Sequence, residues 1–111
     1  MSLYEYRARV VTVVDGDTVR AEVDLGCDAT LRLTIRLFGI DAPEMGTPDG
    51  IASKEHLVAL VPKDGKVLLA TVKDRKEKYG RYLGTLTDPA NPSMSINDRM
   101  IANGFALRYV P

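Results

Sequence analysis

The chain has 111 residues, of which 45% are hydrophobic and 27% charged, and its fifteen basic residues balance fifteen acidic ones. This composition is typical of one folded domain and excludes both a disordered chain and a polycation that coats nucleic acid by bulk charge. A single cysteine and a single histidine also exclude a disulfide framework and a zinc site built from Cys and His. The ligands of any bound metal would therefore be oxygen atoms, which suit calcium, magnesium or manganese.

The first third of the chain predicts three consecutive β-strands. An apolar run, Val10–Val14, ends at the turn signal Asp15–Asp17, in which Asp15 taken alone favours an Asx-turn residue. Residues 19–25 then alternate strictly between apolar and polar side chains, and residues 31–37 repeat the pattern. Because a Gly-containing turn separates these two segments, we expect a hairpin and, with the first strand, a meander.

The rest of the chain predicts two helices and two further strands. Residues 51–60 suit a helix that a proline ends, and residues 66–72 and 82–86 suit strands. Ser95 then caps a second helix, for which Gly104 is the expected C-terminal stop.

The order of these elements, β-β-β-α-β-β-α, predicts the fold class. It fits a mostly β (α+β) protein, a five-stranded barrel of OB type with two helices, and we expect one domain over residues 1–111. No segment approaches the ~20 apolar residues of a membrane span, so no membrane is expected. The sequence begins without the pattern of a signal peptide, which favours the cytoplasm over a secreted mature form.

Carboxylates and arginines stand where the predicted strands end. Asp17 follows the first strand and Asp41 and Glu44 follow the third, while Arg36 and Arg81 lie beside the turns. Neighbouring strands of a meander can bring such turns to one end of the sheet. A guanidinium can hold two phosphate oxygens, and carboxylates can hold a hard cation. The combination predicts a site for a cation and a phosphodiester.

Three segments then carry a resemblance to a known family. In their order and approximate separation, Val14–Val19, Ile35–Glu44 and Lys78–Arg81 resemble the signature blocks of the staphylococcal nuclease (thermonuclease) family. Asn103–Ala106 is similar to the end of a helix in that family, and the resemblance covers about Arg7–Tyr109. It implies a calcium-dependent nuclease that hydrolyses DNA and RNA, prefers single or flexible strands and leaves 3′-phosphate ends. A monomer is favoured.

The resemblance also implies the ligands of the calcium ion and the base. Asp17 and Asp41 would be direct ligands, and the main-chain carbonyl of Ala42 would be a third. Glu44 matches the glutamate that positions or deprotonates the attacking water. A carboxylate is also the base that the residues themselves favour, because the only histidine lies elsewhere in the sequence.

Further matches concern the substrate. Arg36 and Arg81 match the arginine pair that binds the phosphate and stabilises the five-coordinate transition state. Lys78 and Tyr79 match residues that touch the terminal phosphate of the nucleotide. Tyr109 stands close to the position of a nucleotide-stacking tyrosine.

Two other classes of function stay open on the sequence. One alternative is a non-catalytic nucleic-acid-binding module, since OB-type barrels often bind without cutting. The presence of all three acidic residues and both arginines favours the nuclease over that module. A protein-interaction domain would need an exposed aromatic cage, which two Phe, five Tyr and no Trp make the least favoured reading.

Overall fold

The computed structural model describes residues 4–76 and 80–109, with the side chains of all but residues 73–76. The strands of this part of the chain are β1 (Glu5–Asp15), β2 (Thr18–Gly26), β3 (Ala29–Leu37), β4 (Ile40–Asp41), β5 (Lys66–Lys76), β6 (Tyr82–Thr87) and β7 (Leu107–Arg108). Its helices are α1 (Pro48–Leu60) and α2 (Ile96–Ala102). Neither helix has the length and apolar composition that crossing a bilayer would need.

Five of the strands form a closed barrel in the order β1-β2-β3-β6-β5. The first three are the expected antiparallel meander, and β5 closes the barrel against β1. The pairing of β3 with β6 is parallel, whereas β5 and β6 pair antiparallel. The predicted fold class, an OB-type barrel with two helices, is confirmed.

The main differences from the sequence-based expectation are in α1, in β5 and in two short strands. Helix α1 begins at Pro48, three residues early, because the side chain of Thr47 accepts a hydrogen bond from Gly50 N and so caps the helix. Strand β5 extends to Lys76 rather than residue 72. The two-residue strands β4 and β7, which pair with each other, are too short to show any alternation in the sequence.

The alternation of β2 and β3 fills the barrel. Inward side chains such as Val19, Ala21 and Ile35 are fully buried, and α1 and α2 add Leu57 and Met100 to the same core. Because the side-chain period of a strand is two, the polar residues between them face outward. The outer surface of β2 and β3 is therefore the polar surface of the barrel.

Helix α1 is fixed against the first turn of the barrel by close packing. A Cβ at Gly16 would overlap the Ser53 side chain, and a Cβ at Gly50 would overlap the backbone of Glu44. Ser53 is itself buried, and its hydroxyl donates to the carbonyl of Phe105 at 2.7 Å. These contacts hold the Asp15–Asp17 turn and the segment after Asp41 in place.

Candidate active site

The predicted site residues gather where β2 begins and where β3 and β4 end. Asp17 directly precedes β2, Arg36 is the next-to-last residue of β3, and Asp41 ends β4. The amide of Leu37 donates to the carbonyl of Asp17 at 2.7 Å, which ties the first turn to the end of β3. The expectation that these turns meet is confirmed.

At the centre of the site one arginine lies between two carboxylates. Arg36 Nη1 is 2.8 Å from Asp17 Oδ2, and Arg36 Nη2 is 3.4 Å from Asp41 Oδ1. We call these three residues the Arg36 triad. The side chains of Arg36 and Asp17 are only 14% and 11% exposed, whereas that of Asp41 is 58% exposed. The triad therefore carries a net negative charge with one face open to solvent.

The guanidinium retains an unused hydrogen-bonding group. Arg36 Nη1 is buried, yet its N–H groups point at no acceptor among the residues that the structure describes. Its short distance to Asp17 is thus an electrostatic contact without hydrogen-bond alignment. The ion pair with Asp17 compensates the charge of this buried group and fixes the position of the guanidinium.

Asp17 is held in its charged form. Burial raises its pKa, but hydrogen bonds from the side chain of Asp15 and the amide of Ala42, together with the charge of Arg36, outweigh this and lower the pKa overall. The Ala42 amide donates to Asp17 Oδ2 at 3.0 Å, and the Thr18 hydroxyl donates to Oδ1 at 3.0 Å. The carboxylate is consequently ionised and rigidly oriented at neutral pH.

Asp15 belongs to the same cluster, although the sequence favoured only a turn role for it. That role is present, because Asp17 N donates to Asp15 Oδ1 at 3.0 Å. Burial and the neighbouring Asp17 also raise the pKa of Asp15. The two carboxyl groups of this tight turn therefore differ in their pKa shifts, so that Asp17 stays charged and Asp15 is easier to protonate. The sequence feature that could have indicated a role for Asp15 in this cluster is the Asp-Gly-Asp spacing.

Tyr109 and Ala42 also lie at this site. The Arg36 Cζ atom is 5.9 Å from the centre of the Tyr109 ring, within the range of a cation–π contact. Tyr109 reaches this position because its amide donates to the carbonyl of Gly39. A groove of about 530 Å³ opens beside Asp41 and Ala42, with α1 and the residues before β7 as its walls.

Glu44 and Arg81 lie at the periphery of the triad. Glu44 is exposed, and its carboxylate makes no hydrogen bond or ion pair with the described residues. Arg81 directly precedes β6, whose Tyr82 and Leu83 pair with Ile35 and Arg36, so its backbone lies level with Thr34, two residues before Arg36. The predicted substrate residues Lys78 and Tyr79 lie outside the described residues.

The donor set of the site fits a hard divalent cation. Asp17 and Asp41 converge on one guanidinium, and the backbone of Ala42 is tied to Asp17. No group of three or more His, Cys, Asp or Glu with metal-ligand geometry occurs in the described part of the chain. A cation here would accordingly need a backbone carbonyl and water in addition to the two carboxylates, as calcium commonly accepts.

Comparison with known proteins decides the family. The family model for staphylococcal nuclease homologues matches residues 34–110, which is more than half of the chain. The chain belongs to this family. The matched region contains Arg36, Asp41 and Glu44, while Asp17 and its turn precede it.

Several curated proteins are similar to most of this chain. Protein ParB of Escherichia coli is 32% identical over 112 residues, covering 95% of this chain and 58% of the relative. Micrococcal nuclease of Shigella flexneri is 30% identical over 111 residues, covering 95% of this chain and 59% of the relative. A probable staphylococcal-like nuclease of Oryza sativa subsp. japonica is 39% identical over 75 residues, covering 68% of this chain and 21% of the relative. The chain thus spans less than two thirds of the length of these relatives.

Proposed function

We propose that this chain is a calcium-dependent nuclease that hydrolyses phosphodiester bonds of DNA and RNA and leaves 3′-phosphate ends. The observation that carries the proposal is the Arg36 triad, which places one guanidinium beside two carboxylates in a site with one face open to solvent. A phosphate oxygen is the ligand atom that a guanidinium binds best, often through two parallel bonds. Membership of the staphylococcal nuclease homologues supports the same reading.

Arg36 is suited to stabilising a transition state as well as to binding. Contacts with Asp17 and Asp41 fix the guanidinium before substrate arrives, so little reorganisation is needed when charge develops on the phosphate. Arg81, which directly precedes the strand that pairs with β3, is the second arginine of the proposed pair. Together they would neutralise the equatorial oxygens of the phosphate during attack.

Asp17, Asp41 and the carbonyl of Ala42 would hold the calcium ion. When bound, the ion would supply positive charge at the phosphate and a site for water. The lowered pKa of Asp17 keeps this ligand charged at neutral pH, so protons do not compete for it. Asp41 is half exposed and can turn toward an incoming ion.

Glu44 is the proposed residue that positions or deprotonates the attacking water. Its exposed carboxylate lies two residues after Ala42, on the segment that leaves the site. The alternative base, His56, stacks on Phe105 at 4.1 Å between ring centres and contacts Asn103 at 2.8 Å. Because the ring of the histidine is already engaged by Phe105 and Asn103, whereas the Glu44 carboxylate is exposed, Glu44 is the better candidate.

The substrate is proposed to be a single or locally flexible strand. Tyr109 presents an exposed ring at the site on which a sugar or base can pack, and stacking of this kind accepts any base. No feature of the described site selects a base or a 2′-hydroxyl. We therefore expect both DNA and RNA as substrates of a monomeric protein.

The test is cleavage of denatured DNA with and without calcium. Cleavage is expected with calcium ions, and it should disappear on chelation and return when calcium is restored. Phosphatase treatment followed by 3′-end labelling checks the expected 3′-phosphate. Undiminished cleavage after chelation would contradict the calcium proposal, and binding without cleavage under all conditions would favour the non-catalytic module.

A further inference from the structure

The outer surface of β2 and β3 continues the active site away from Arg36. On β3, Arg32, Thr34 and Arg36 share one face, because the residues between them point toward the core. Across the pair, Arg36 is opposite Thr18, Thr34 is opposite Arg20, and Arg32 is opposite Glu22. On this face, the pair that contains Arg20 is therefore the one next to the pair that contains Arg36. Arg32 lies about 13 Å from Arg36 along β3.

At the level of Arg32 a row of charged residues crosses four strands. Glu22 is opposite both Arg32 on β3 and Arg9 on β1, and Arg9 is in turn opposite Lys66 on β5. The row therefore reads Lys66, Arg9, Glu22, Arg32. Neighbouring strands are about 4.8 Å apart, so the row is about 14 Å long. We call this row together with Arg20 the basic strip.

The basic strip has four cations and one carboxylate, a net charge of +3 on a chain whose total charge is zero. Arg9 and Arg32 both pair with Glu22, and they are 52% and 66% exposed. Hydrogen bonds from Arg9 and then Arg32 lower the pKa of Glu22, so it is ionised and cancels only one of them. Arg20 and Lys66 make no ion pair with any residue in the described ranges.

The strip has a shape and a boundary. A shallow groove of about 640 Å³ lies on the side of the row away from Arg36, where Arg9, Glu22 and Lys66 line it together with Arg7, Asp24 and Thr30. Farther from the active site acidic residues outnumber basic ones, because Arg7 is accompanied by Glu5 and Asp24. The positive surface is consequently confined to the strands that lead to Arg36.

We infer that the basic strip binds the phosphates of the single strand that flanks the scissile bond, as an extended substrate site. This inference rests on the proposed function, since it takes the phosphate at Arg36 as one end of the bound strand. The strip adjoins Arg36 on the outer face of β2 and β3, and its excess positive charge supports a polyanion as the occupant. The strip carries charged side chains without an aromatic stacking platform, so the contacts would be to the backbone and independent of sequence.

The test measures binding without turnover. The Kd of a long single-stranded oligonucleotide is measured by fluorescence anisotropy in chelator at several salt concentrations. Each phosphate contact contributes about 0.7 to the slope of log Kd against log salt for single strands. The Arg20→Ala/Lys66→Ala variant should therefore bind more weakly, with a slope reduced by about 1.4. It breaks none of the ion pairs described here.

Two further variants make the result specific. Glu22→Gln removes the only carboxylate of the strip and should tighten binding of the long strand. Lys54→Ala/Arg99→Ala removes the same charge from the two helices and should leave the slope within error of the unmodified chain. Binding or cleavage of a dinucleotide should change much less than binding of the long strand, because a dinucleotide bound at Arg36 cannot reach the row formed by Lys66, Arg9, Glu22 and Arg32.

Several outcomes would overturn the inference. These are an unchanged slope in Arg20→Ala/Lys66→Ala, an equal loss in the helix control, or an unchanged Kd in Glu22→Gln. Strip-dependent binding of phosphatidylserine vesicles with no strip-dependent binding of DNA would assign the surface to a membrane and overturn it as well. A chain that binds long strands through the strip but cleaves nothing would instead contradict the proposed nuclease activity and leave the strip intact.

Discussion

The protein contains two charge triads of opposite sign. In the Arg36 triad one arginine lies between Asp17 and Asp41, whereas on the basic strip one carboxylate, Glu22, lies between two arginines. Arg36 is 14% exposed, but Glu22 is 29% exposed and its arginines more than half. A cluster of arginine and carboxylate side chains thus occurs twice, once with its central charge largely buried and once with its central charge more exposed to solvent.

Burial decides what each triad can do. Buried charges interact in a low effective dielectric and are fixed in place, so they can stabilise a reacting group, and removing one partner is costly. Exposed pairs are screened and contribute about 0–1 kcal/mol to stability. Their excess charge still attracts a polyanion over several ångströms. We therefore expect chemistry and stability to depend on the Arg36 triad, and salt-dependent binding to depend on the strip.

The largest difference is expected from the same substitution at two glutamates. Glu44→Gln, beside the Arg36 triad, should lower kcat by about 10²–10⁴-fold with little change in Kd, because it removes the proposed base but keeps its size. Glu22→Gln, in the exposed triad, should leave kcat on a dinucleotide unchanged. Single-turnover rates and Kd for both variants check this. A kcat for Glu44→Gln within about threefold of the unmodified chain would make Glu44 structural.

The second difference concerns stability. Arg36→Ala leaves the buried Asp17 without its cation and should lower the free energy of unfolding by about 3 kcal/mol in the absence of calcium. Arg32→Ala removes one of two partners from an exposed glutamate, and the loss should be below about 0.5 kcal/mol. Urea denaturation of the two variants provides the comparison. Equal losses would show that burial does not distinguish the triads.

The sequence was most informative where a pattern is local. Alternation predicted β2 and β3, because each buries one face in the core, and the turn signals predicted where Asp17 and Asp41 would stand. The ordered motifs then predicted the family. The two-residue strands β4 and β7 could not be predicted, since their pairing depends on a contact between segments more than sixty residues apart in the sequence.

The electrostatic state of the site also lay beyond the sequence. The Asp-Gly-Asp motif placed two carboxylates in one turn, but only the fold shows that Asp17 receives the Ala42 amide and that Asp15 is the carboxyl with the raised pKa. The basic strip was equally hidden. Its members come from four strands, and only the pairing register brings them into one row.

The proposed role of Arg36 in stabilising the transition state can be tested by measuring kcat and Kd for Arg36→Lys and Arg81→Lys, with Arg99→Lys on α2 as the control. Lysine keeps the charge but replaces the two-pronged donor with a point donor. If the guanidinium between Asp17 and Asp41 binds the phosphate more strongly as negative charge develops on it, kcat should fall by about 10²–10³-fold in each site variant. The change in Kd should be much smaller. The control should keep its kcat. Equal, small losses of affinity in all three variants, with no separate loss of kcat at Arg36, would contradict a catalytic role for Arg36 and favour a binding module.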